Sequence, residues 1–472
     1  MGKSFTYSDF YTASKRRPDT QLADGSRVAV VGGGPAGSFF SYFLREAAER
    51  LGREIVVDVY EPRDYSGVGP AACNMCGGII SESLVQNLAA EGIVLPADVI
   101  QRGIDSYMLH MDVGTTRIET PLEEMRIGAV YRATGPRDLK IVRWHSFDGF
   151  LLELAIQKGA RRIQTRVENI RWDGGRPVIE AKNGATESYD LLAVATGVNS
   201  TSHKLFDDAG LQYKPPETTK TYIREFFLGL DTINEHIGRS MHVFLLNIPG
   251  LEFAAIIPKG DYVSVCLLGE KVNKATLTSF LESPEVNRCM PPGWEATSIS
   301  CQCSPKMNIG GAVRPFGDRI VFIGDSGVTR LYKDGIGAAY RTAKAAATTA
   351  VFEGISESAF ERHFWPVCQS IEKDNSIGKF LFSFTELLQK RRIARGAVHR
   401  MVASEQRKSG SRRRMSMVLW DLFTGSASYR EILKRTLHPA FITRLLGNVI
   451  GTVVGRQAQT GTHFETAGEL DK

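Results

Sequence analysis

The chain has 472 residues, of which 43% are hydrophobic and 23% charged, and its net charge is +6. This composition is typical of a soluble globular protein with two or three domains. No run of about 18 apolar residues predicts a membrane-spanning helix, and the first residues lack the apolar core of a secretory signal. Seven cysteines without a framework spacing indicate a reducing compartment, so we expect a cytoplasmic protein.

The first predicted domain begins after a polar N-terminal arm, residues 1–25, and opens with a glycine motif. A β-favouring run ends in Gly32-Gly33-Gly34-Pro35-Ala36-Gly37. In this G-x-G-x-x-G spacing, Gly32 permits a tight turn, Gly34 lets the backbone approach a pyrophosphate, and Gly37 lets the next helix pack on the sheet. The helix, predicted over 38–51, would direct its positive N-terminal end at the phosphates. A second strand ends at Glu61, close to the spacing of a carboxylate that binds a ribose hydroxyl.

Further elements follow in chain order. A loop rich in Gly, Pro and Cys covers 63–78, and a helix capped by Ser81 is predicted over 79–90. Apolar residues at helical spacing predict a helix over 146–158. The segment 162–181 is typical of a β-hairpin around Asp173-Gly-Gly175, and 190–197 is typical of a buried parallel strand that leaves the sheet at Gly197.

Alternating apolar and polar residues over 218–300 predict an antiparallel sheet that covers the cofactor site. The chain then returns to a parallel strand over 318–325 and to an Ala-rich helix from Gly335 to about Phe352, and it is mainly helical from 356 onward. The predicted fold is α/β, with a Rossmann-like cofactor-binding domain (26–217 and 301–355), an antiparallel substrate domain (218–300) and a helical, basic C-terminal region (356–472).

A second strand end indicates that the dinucleotide is FAD. Gly324-Asp325 places a carboxylate where it can accept hydrogen bonds from ribityl hydroxyls, and NAD has no ribityl chain. The next helix opens through Gly335-Ile336-Gly337-Ala338, and its first amides can stabilise negative charge on a reduced flavin. The ordered set of 32–37, 61, 190–197, 324–325 and 335–337 is more specific than any of its parts.

On these motifs the sequence resembles the flavoprotein monooxygenase and reductase superfamily typified by p-hydroxybenzoate hydroxylase, and within it the geranylgeranyl reductase family. The resemblance extends over roughly residues 27–355, and more loosely over the tail. Cys76-Gly77-Gly78 is similar to that family's segment beside the flavin, and Arg143 with Phe147-Asp148 is similar to its next helix opening. The resemblance implies that Glu61 contacts the adenosine ribose and that Asp325 contacts the ribityl chain.

The sequence departs from these families at two places. Hydroxylases of the superfamily have Ala-Asp-Gly where this chain has Ala195-Thr196-Gly197, which argues against hydroxylase-style cofactor handling. The reductases' substrate-side aromatics are replaced in Phe253-Ala254-Ala255-Ile256-Ile257-Pro258 by smaller aliphatic residues. We therefore expect a wider apolar pocket, with Gly77, Gly78, Phe253, Ala255, Ile257 and Pro258 at its wall.

The cysteine pairs Cys73/Cys76 and Cys301/Cys303 allow three interpretations. They form a redox disulfide that needs an accessible, low-pKa thiolate, they ligate a metal or cluster although their spacing is not a recognised one, or they line a pocket. We favour the third and predict no metal site. Cys76 remains the candidate catalytic residue, and Cys76, Tyr262 and an ordered water are the candidate proton donors.

The positive charge is concentrated in the basic segment, residues 390–414, which carries ten Lys or Arg residues and one acid, Glu405. Apolar residues alternate with these charges, and Trp420 follows. Such a pattern is typical of contact with an anionic membrane surface. A solvated helical face is the plain alternative, and nucleic-acid binding lacks a recognition motif.

These features lead to one main functional hypothesis. The protein is an FAD-dependent oxidoreductase that reduces C=C bonds of a long-chain isoprenoid or related lipid at a membrane surface, with electrons from NAD(P)H, from a protein donor such as ferredoxin, or from a quinone. The alternatives are an electron-transfer partner of a quinone or protein complex, and a flavin-dependent hydroxylase or halogenase.

Overall fold

The structure is a computed structural model that describes residues 20–120, 127–137, 139, 142–200, 205–206, 211–269, 272–295, 301–407 and 413–465, with side chains as far as residue 453. The strands, numbered in chain order, are β1 (Arg27–Val31), β2 (Val56–Tyr60), β3 (Ile79–Ile80), β4 (Arg102–Ile104), β5 (Ser106–Met111), β6 (Gly114–Glu119), β7 (Ile127–Ala129), β8 (Arg161–Ile163), β9 (Val167–Asp173), β10 (Arg176–Ala181), β11 (Thr186–Ser188), β12 (Leu191–Val194), β13 (Thr218–Lys220), β14 (Tyr222–Phe227), β15 (Ser240–Phe244), β16 (Phe253–Pro258), β17 (Tyr262–Leu268), β18 (Gln302–Cys303), β19 (Lys306–Asn308), β20 (Phe316–Gly317) and β21 (Ile320–Phe322).

The helices are numbered in the same way. Two π-helical turns, Ile233–Ile237 and Thr349–Glu353, each continue one helix, and a third, Phe360–Phe364, links two helices. They are α1 (Pro35–Arg50), α2 (Glu82–Ala90), α3 (Phe147–Gln157), α4 (Leu230–Thr232), α5 (Lys274–Leu281), α6 (Pro284–Cys289), α7 (Gly335–Thr348), α8 (Glu357–Ala359), α9 (Trp365–Lys390), α10 (Arg392–Gln406), α11 (Arg414–Thr424), α12 (Tyr429–Thr436) and α13 (Pro439–Glu465).

A six-stranded sheet in the order β20-β21-β12-β1-β2-β8 forms the first layer. All its pairs are parallel except β20 with β21. Residues 28–30 of β1 are fully buried at its centre, as expected of a strand covered on both faces. Helices α1, α3 and α7 share one core with this sheet. The predicted Rossmann-like α/β fold is confirmed.

A seven-stranded sheet in the order β18-β14-β17-β16-β15-β5-β6 forms the second layer. The predicted antiparallel sheet is present, but β5 and β6 also belong to it, because β5 pairs in parallel with β15. These two strands fall in the range 26–217 that the sequence assigns to the cofactor domain. Parallel pairing across more than 130 residues leaves no local signal in the sequence.

Two smaller differences concern local boundaries. Ile79 and Ile80 form strand β3, paired with β7, before α2 begins at its predicted cap Ser81. The predicted N-terminal arm is described only from residue 20, and 1–19 lie outside the described residues. Within the described part of the arm, Leu22 is buried in the first core.

The C-terminal region is helical, as predicted, and it covers the second sheet. The apolar face of α10, with Val398, Met401 and Val402, packs into one core with that sheet, and Trp420 of α11 lies edge-on to the Tyr107 ring at 5.2 Å. The apolar residues of the basic segment are therefore mostly buried against the protein, because their helical face matches the sheet. Among the described helices, none is both long enough and apolar enough to cross a membrane.

Candidate functional site

A cavity of about 330 Å³ lies between the two sheets and collects most of the predicted site residues. The predicted residues at its wall are Gly32, Gly34, Pro35, Ala36, Glu61, Cys76, Gly77, Gly78, Gly197, Phe253, Ala255, Ile257, Asp325, Gly335 and Ile336. The predicted residues that are not at its wall are Gly37, Arg143, Pro258, Gly324, Gly337 and Ala338.

The glycine turn between β1 and α1 forms one end of the cavity. Gly32 has φ +108°, and a Cβ there would collide with the Ala195 carbonyl; a Cβ on Gly37 would collide with the Gly32 carbonyl. Gly34 differs, because its nearest neighbour would be the Asn74 amide nitrogen at 3.5 Å, an ordinary contact. Among the described residues, no side chain caps α1. The protein itself thus explains Gly32 and Gly37, whereas Gly34 leaves space for a ligand.

Glu61, at the end of β2, organises this turn. Its carboxylate accepts hydrogen bonds from the Gly33 amide at 2.9 Å, the Tyr65 hydroxyl at 2.9 Å and the Arg63 amide at 2.8 Å. The side chain is 5% exposed. A carboxylate has about four acceptor sites, so one remains for a ligand hydroxyl.

A polar network that the sequence did not indicate lies beside Gly34. The Arg132 guanidinium forms a bidentate pair with the fully buried Asp148, and Asn74 bonds both Asp148 and Arg63. Burial opposes the charge on Arg132, but Asp148 outweighs it and raises the pKa of the guanidinium. Arg143 is exposed and is not at the cavity wall. The arginines that line this end of the cavity are therefore Arg63 and Arg132, and Arg132 precedes α3 by a longer loop than the motif implies.

The end of β21 forms the middle of the cavity. Gly324 has φ +59°, and a Cβ there would lie 2.6 Å from that of Ala36, so this glycine lets α1 approach the strand end. Asp325 lines the cavity, and burial raises the pKa of its carboxyl. Ser326 accepts the Gly197 amide at 3.0 Å and bonds the Thr196 hydroxyl at 3.2 Å. Thr196 thus connects the end of β12 to the end of β21, and it occupies the position at which hydroxylases have a carboxylate.

The first turn of α7 is only partly open. Gly335 and Ile336 line the cavity. The Asp334 carboxylate lies against Gly337 and accepts the Ser81 hydroxyl at 2.7 Å, with Arg330 and Arg341 at 3.8 Å. The positive helix end therefore already faces a protein carboxylate.

The Cys76-Gly77-Gly78 segment is held by a buried lysine that the sequence did not indicate. The Lys259 ammonium, just past β16, donates to the carbonyls of Gly77 at 2.7 Å, Gly78 at 2.9 Å and Val130 at 2.6 Å. Burial lowers the pKa of Lys259. Cβ atoms on the two glycines would press on Cys266 and on Lys259 itself. The segment is consequently fixed against the second sheet.

The far end of the cavity is apolar. The wall there is formed by Ile223, Met241, Phe253, Ala255, Ile257, Cys266, Leu268 and Phe423. One cation enters it: the Lys333 ammonium lies 4.1 Å from the centre of the Phe253 ring, and burial lowers the pKa of Lys333 to about 7. Tyr262 is fully buried, bonds Gln101 and does not line the cavity. Cys76 and Lys333 are polar groups that line the cavity together with this apolar wall, and Tyr332 and Thr424, next to Lys333 and Phe423, line it as well.

The four cysteines of the two sequence pairs line one small cavity next to the first, and they are free thiols. Cys73, Cys76, Cys301 and Cys303 line it together with Glu225, although they come from segments more than 220 residues apart. Burial raises the pKa of Cys73 to about 11 and that of Cys303 to about 12. These two thiols stay protonated near neutral pH, which disfavours the low-pKa thiolate interpretation for them.

The parallel sheet, the glycine turn at its centre and the second sheet over the cavity define a dinucleotide-binding α/β class. Comparison with known proteins places the fold more closely. A geranylgeranyl bacteriochlorophyll reductase-like protein from Thermoplasma acidophilum is similar with a TM-score of 0.60 and 15% identity, over 87% of this chain and 98% of that one. A flavoprotein/dehydrogenase from Cytophaga hutchinsonii gives 0.57 and 14%, over 93% and 99%.

The halogenase PltM, in a complex with phloroglucinol and FAD, is similar with a TM-score of 0.57 and 12% identity, over 92% of this chain and 93% of that one. No protein-family model and no curated protein matches the sequence. At these identities the similarity establishes the fold of FAD-dependent flavoproteins, and this part of the prediction is confirmed. The geranylgeranyl reductase family remains a prediction.

Proposed function

We propose that the protein is an FAD-dependent oxidoreductase that reduces C=C bonds of a long-chain isoprenoid or a related apolar lipid. One observation carries this proposal: a single cavity leads from the glycine turn to an apolar end. Gly34 and Arg132 would bind the pyrophosphate, Glu61 the ribose and Asp325 the ribityl chain. The open N-terminus of α1 would supply positive charge to a pyrophosphate, and the Arg132 guanidinium, already paired with Asp148, would add a hydrogen-bond donor.

FAD, once reduced, supplies a hydride for a substrate double bond. The residues of the chain bind and orient the substrate and exclude water. Phe253, Ala255 and Ile257 give the substrate an apolar wall, and Lys259 keeps the Cys76 segment beside it. Lys333 can hold a proton near neutral pH for the second substrate carbon, and it therefore joins Cys76 and an ordered water as a candidate donor. NAD(P)H or a protein donor would supply the electrons.

The test is the visible spectrum of the purified chain, followed by anaerobic reduction with NADPH, NADH or dithionite. Geranylgeranyl lipids of different headgroups are then added to the reduced protein. We expect a bound flavin whose reduced form is reoxidised by at least one such lipid. A protein that carries no flavin overturns the cofactor assignment, and a flavin that no polyprenyl lipid reoxidises overturns the substrate assignment.

A flavin-dependent hydroxylase or halogenase is the second candidate, because the chain shares its fold with PltM. Thr196, at the position of the hydroxylases' carboxylate, argues against it. Substrate-dependent oxygen consumption by the reduced protein would favour this candidate over the reductase, and fast reduction of a soluble quinone would favour an electron-transfer role.

We further propose that the protein contacts an anionic membrane, through a surface adjacent to the basic segment. Phe380, Phe384 and Leu387 lie on one face of α9 and are 62%, 48% and 53% exposed. A second exposed apolar face, on α13, consists of Ile442, Leu446 and Ile450. Exposed arginines at 391 and 392 begin α10 next to the end of α9. Apolar faces flanked by arginines suit an anionic bilayer.

Sedimentation with vesicles of phosphatidylglycerol and phosphatidylcholine tests this surface. We expect binding that the double substitution Phe380→Ser/Phe384→Ser reduces at least tenfold and that salt weakens. The matched control is Val94→Ser, since Val94 is 79% exposed elsewhere on the chain. Equal binding by both variants would overturn the proposed surface.

A further inference from the structure

A cluster of metal-ligand side chains lies on the second sheet, away from the cavity. His110 of β5 and His242 of β15 occupy neighbouring parallel strands, and Cys289 ends α6 above them. Met241, next to His242 in β15, lines the cavity. Because successive side chains of a strand point to opposite faces, His242 lies on the opposite face of the sheet from the cavity.

The geometry of the three side chains suits a single ion. The His110 Nε2 and His242 Nδ1 atoms share a hydrogen bond of 2.9 Å, which a metal ion would replace, and each residue offers a ligand atom within 4.8 Å of the other two. The histidines are only 4% and 5% exposed. The Phe244 ring stacks on His110 at 4.5 Å and closes the site.

The surroundings support the histidines as ligands. The second nitrogen of each ring has a partner: His110 Nδ1 is 3.0 Å from the Thr115 hydroxyl, and His242 Nε2 is 3.4 Å from the Ile237 carbonyl. Metal-binding histidines are ordinarily oriented by such partners.

Charged groups near the cluster do not prevent cation binding. Arg288, next to Cys289, is the cation that acts on His110, and it is paired with Glu285 at 3.0 Å. The Cys289 thiol donates a hydrogen bond to the Val286 carbonyl at 3.2 Å. Because a cysteine ligates as the thiolate, it would lose this proton on metal binding.

We propose that His110 Nε2, His242 Nδ1 and Cys289 Sγ bind a zinc ion, with water as the fourth ligand. Imidazole and thiolate are preferred by zinc over magnesium or calcium. With Zn–N near ~2.1 Å and Zn–S near ~2.3 Å, tetrahedral ligand atoms lie about 3.4 Å apart, so shifts of about 1 Å suffice. His110 keeps a neutral ring by moving its proton to Nδ1, and Cys289 releases one proton per ion.

Such an ion would connect α6 to the sheet that forms the substrate wall. The site lies behind that wall, and it does not depend on the proposed flavin chemistry. The sequence does not indicate this site, because the ligands are separated by 132 and 47 residues and fit no spacing motif.

Zinc titration of the chelator-treated, reduced full-length protein by calorimetry tests the site. We expect one ion bound in this site, with the release of one proton, and at least a hundredfold weaker binding in His242→Asn and in Cys289→Ser. The matched control is Cys303→Ser, which lies in the separate four-cysteine cluster and should leave this binding unchanged.

Cobalt gives a second measurement that does not depend on a histidine variant folding. The cobalt-loaded wild-type protein should show a thiolate-to-metal absorption band that Cys289→Ser abolishes and Cys303→Ser retains. Loss of the band in Cys303→Ser alone would assign metal binding to the four-cysteine cluster and overturn the proposal. Absence of zinc binding by the wild-type protein would also overturn it.

Discussion

The substitution Gly34→Ala tests whether Gly34 is needed for ligand binding rather than for folding. Gly34 has φ −69° and precedes α1 as its cap residue, so alanine can adopt this backbone conformation. The new methyl group would lie 3.5 Å from the Asn74 amide nitrogen and 3.9 Å from the Asp148 carboxylate. Neither neighbour must move. The structure thus predicts a folded variant with a methyl group on the expected path of the pyrophosphate.

The magnitudes follow from these contacts. Replacing glycine by alanine at a helix cap costs about 1 kcal/mol, which in a chain of 472 residues lowers Tm by about 1 °C. FAD affinity should fall at least tenfold, because the backbone could no longer approach the phosphates as closely as the glycine motif allows. A tenfold change corresponds to about 1.4 kcal/mol, so binding should be affected more than folding.

The assay combines flavin content after purification with FAD titration of the apoprotein and urea unfolding. Two controls bracket the result. Gly37→Ala would place a methyl group onto the Gly32 carbonyl, so it should reduce both folding and binding. Gly447→Ala, in the open surface of α13, should leave FAD binding unchanged and slightly stabilise the helix. Wild-type FAD affinity in Gly34→Ala would refute the assigned pyrophosphate position.

Three further predictions concern buried charges. Asp325→Ala should lower flavin content with little loss of stability, and normal flavin content would contradict the ribityl assignment. Lys259→Met should destabilise the protein by about 3 kcal/mol or more, measured by urea unfolding, because three carbonyls lose a charged donor; an unchanged midpoint would contradict this. Glu225→Gln should remove a pH dependence of the free energy of unfolding. Burial raises the pKa of Glu225 to about 7 from 4.5, so its contribution to stability is present below pH 4.5 and lost as pH rises through 7; a wild-type pH profile in the variant would contradict this.

The sequence predicted those parts of the site that depend on a strand and the turn that follows it. The glycine turn at Gly32 and the strand end at Asp325 each occupy a few consecutive residues whose spacing reflects local backbone geometry. The same holds for Ser81, which caps α2 as predicted. Such features can be predicted from the sequence because the residues that create the local geometry are adjacent in the chain.

The site residues that the sequence did not indicate make contacts with residues far away in the chain. The motif resemblance indicated Arg143, but the folded chain shows that Arg132 is the arginine that pairs with Asp148. Lys259 donates hydrogen bonds to carbonyls about 130 and 180 residues away in the sequence. The basic segment shows a different limit. Its helical periodicity correctly indicated an apolar face, but periodicity does not specify whether a bilayer or a sheet covers that face.

Lys259 also explains how the two layers can share one site. The cofactor end of the cavity belongs to the first sheet, and the apolar wall belongs to the second. A single ammonium at the end of β16 bonds the Gly77 and Gly78 carbonyls, so the segment that contains Cys76 is attached to the substrate wall. Any movement of β16 would therefore shift Cys76 as well. For this reason, Lys259→Met should alter substrate affinity and the absorption spectrum of the bound flavin together, and a change in only one of them would contradict this coupling.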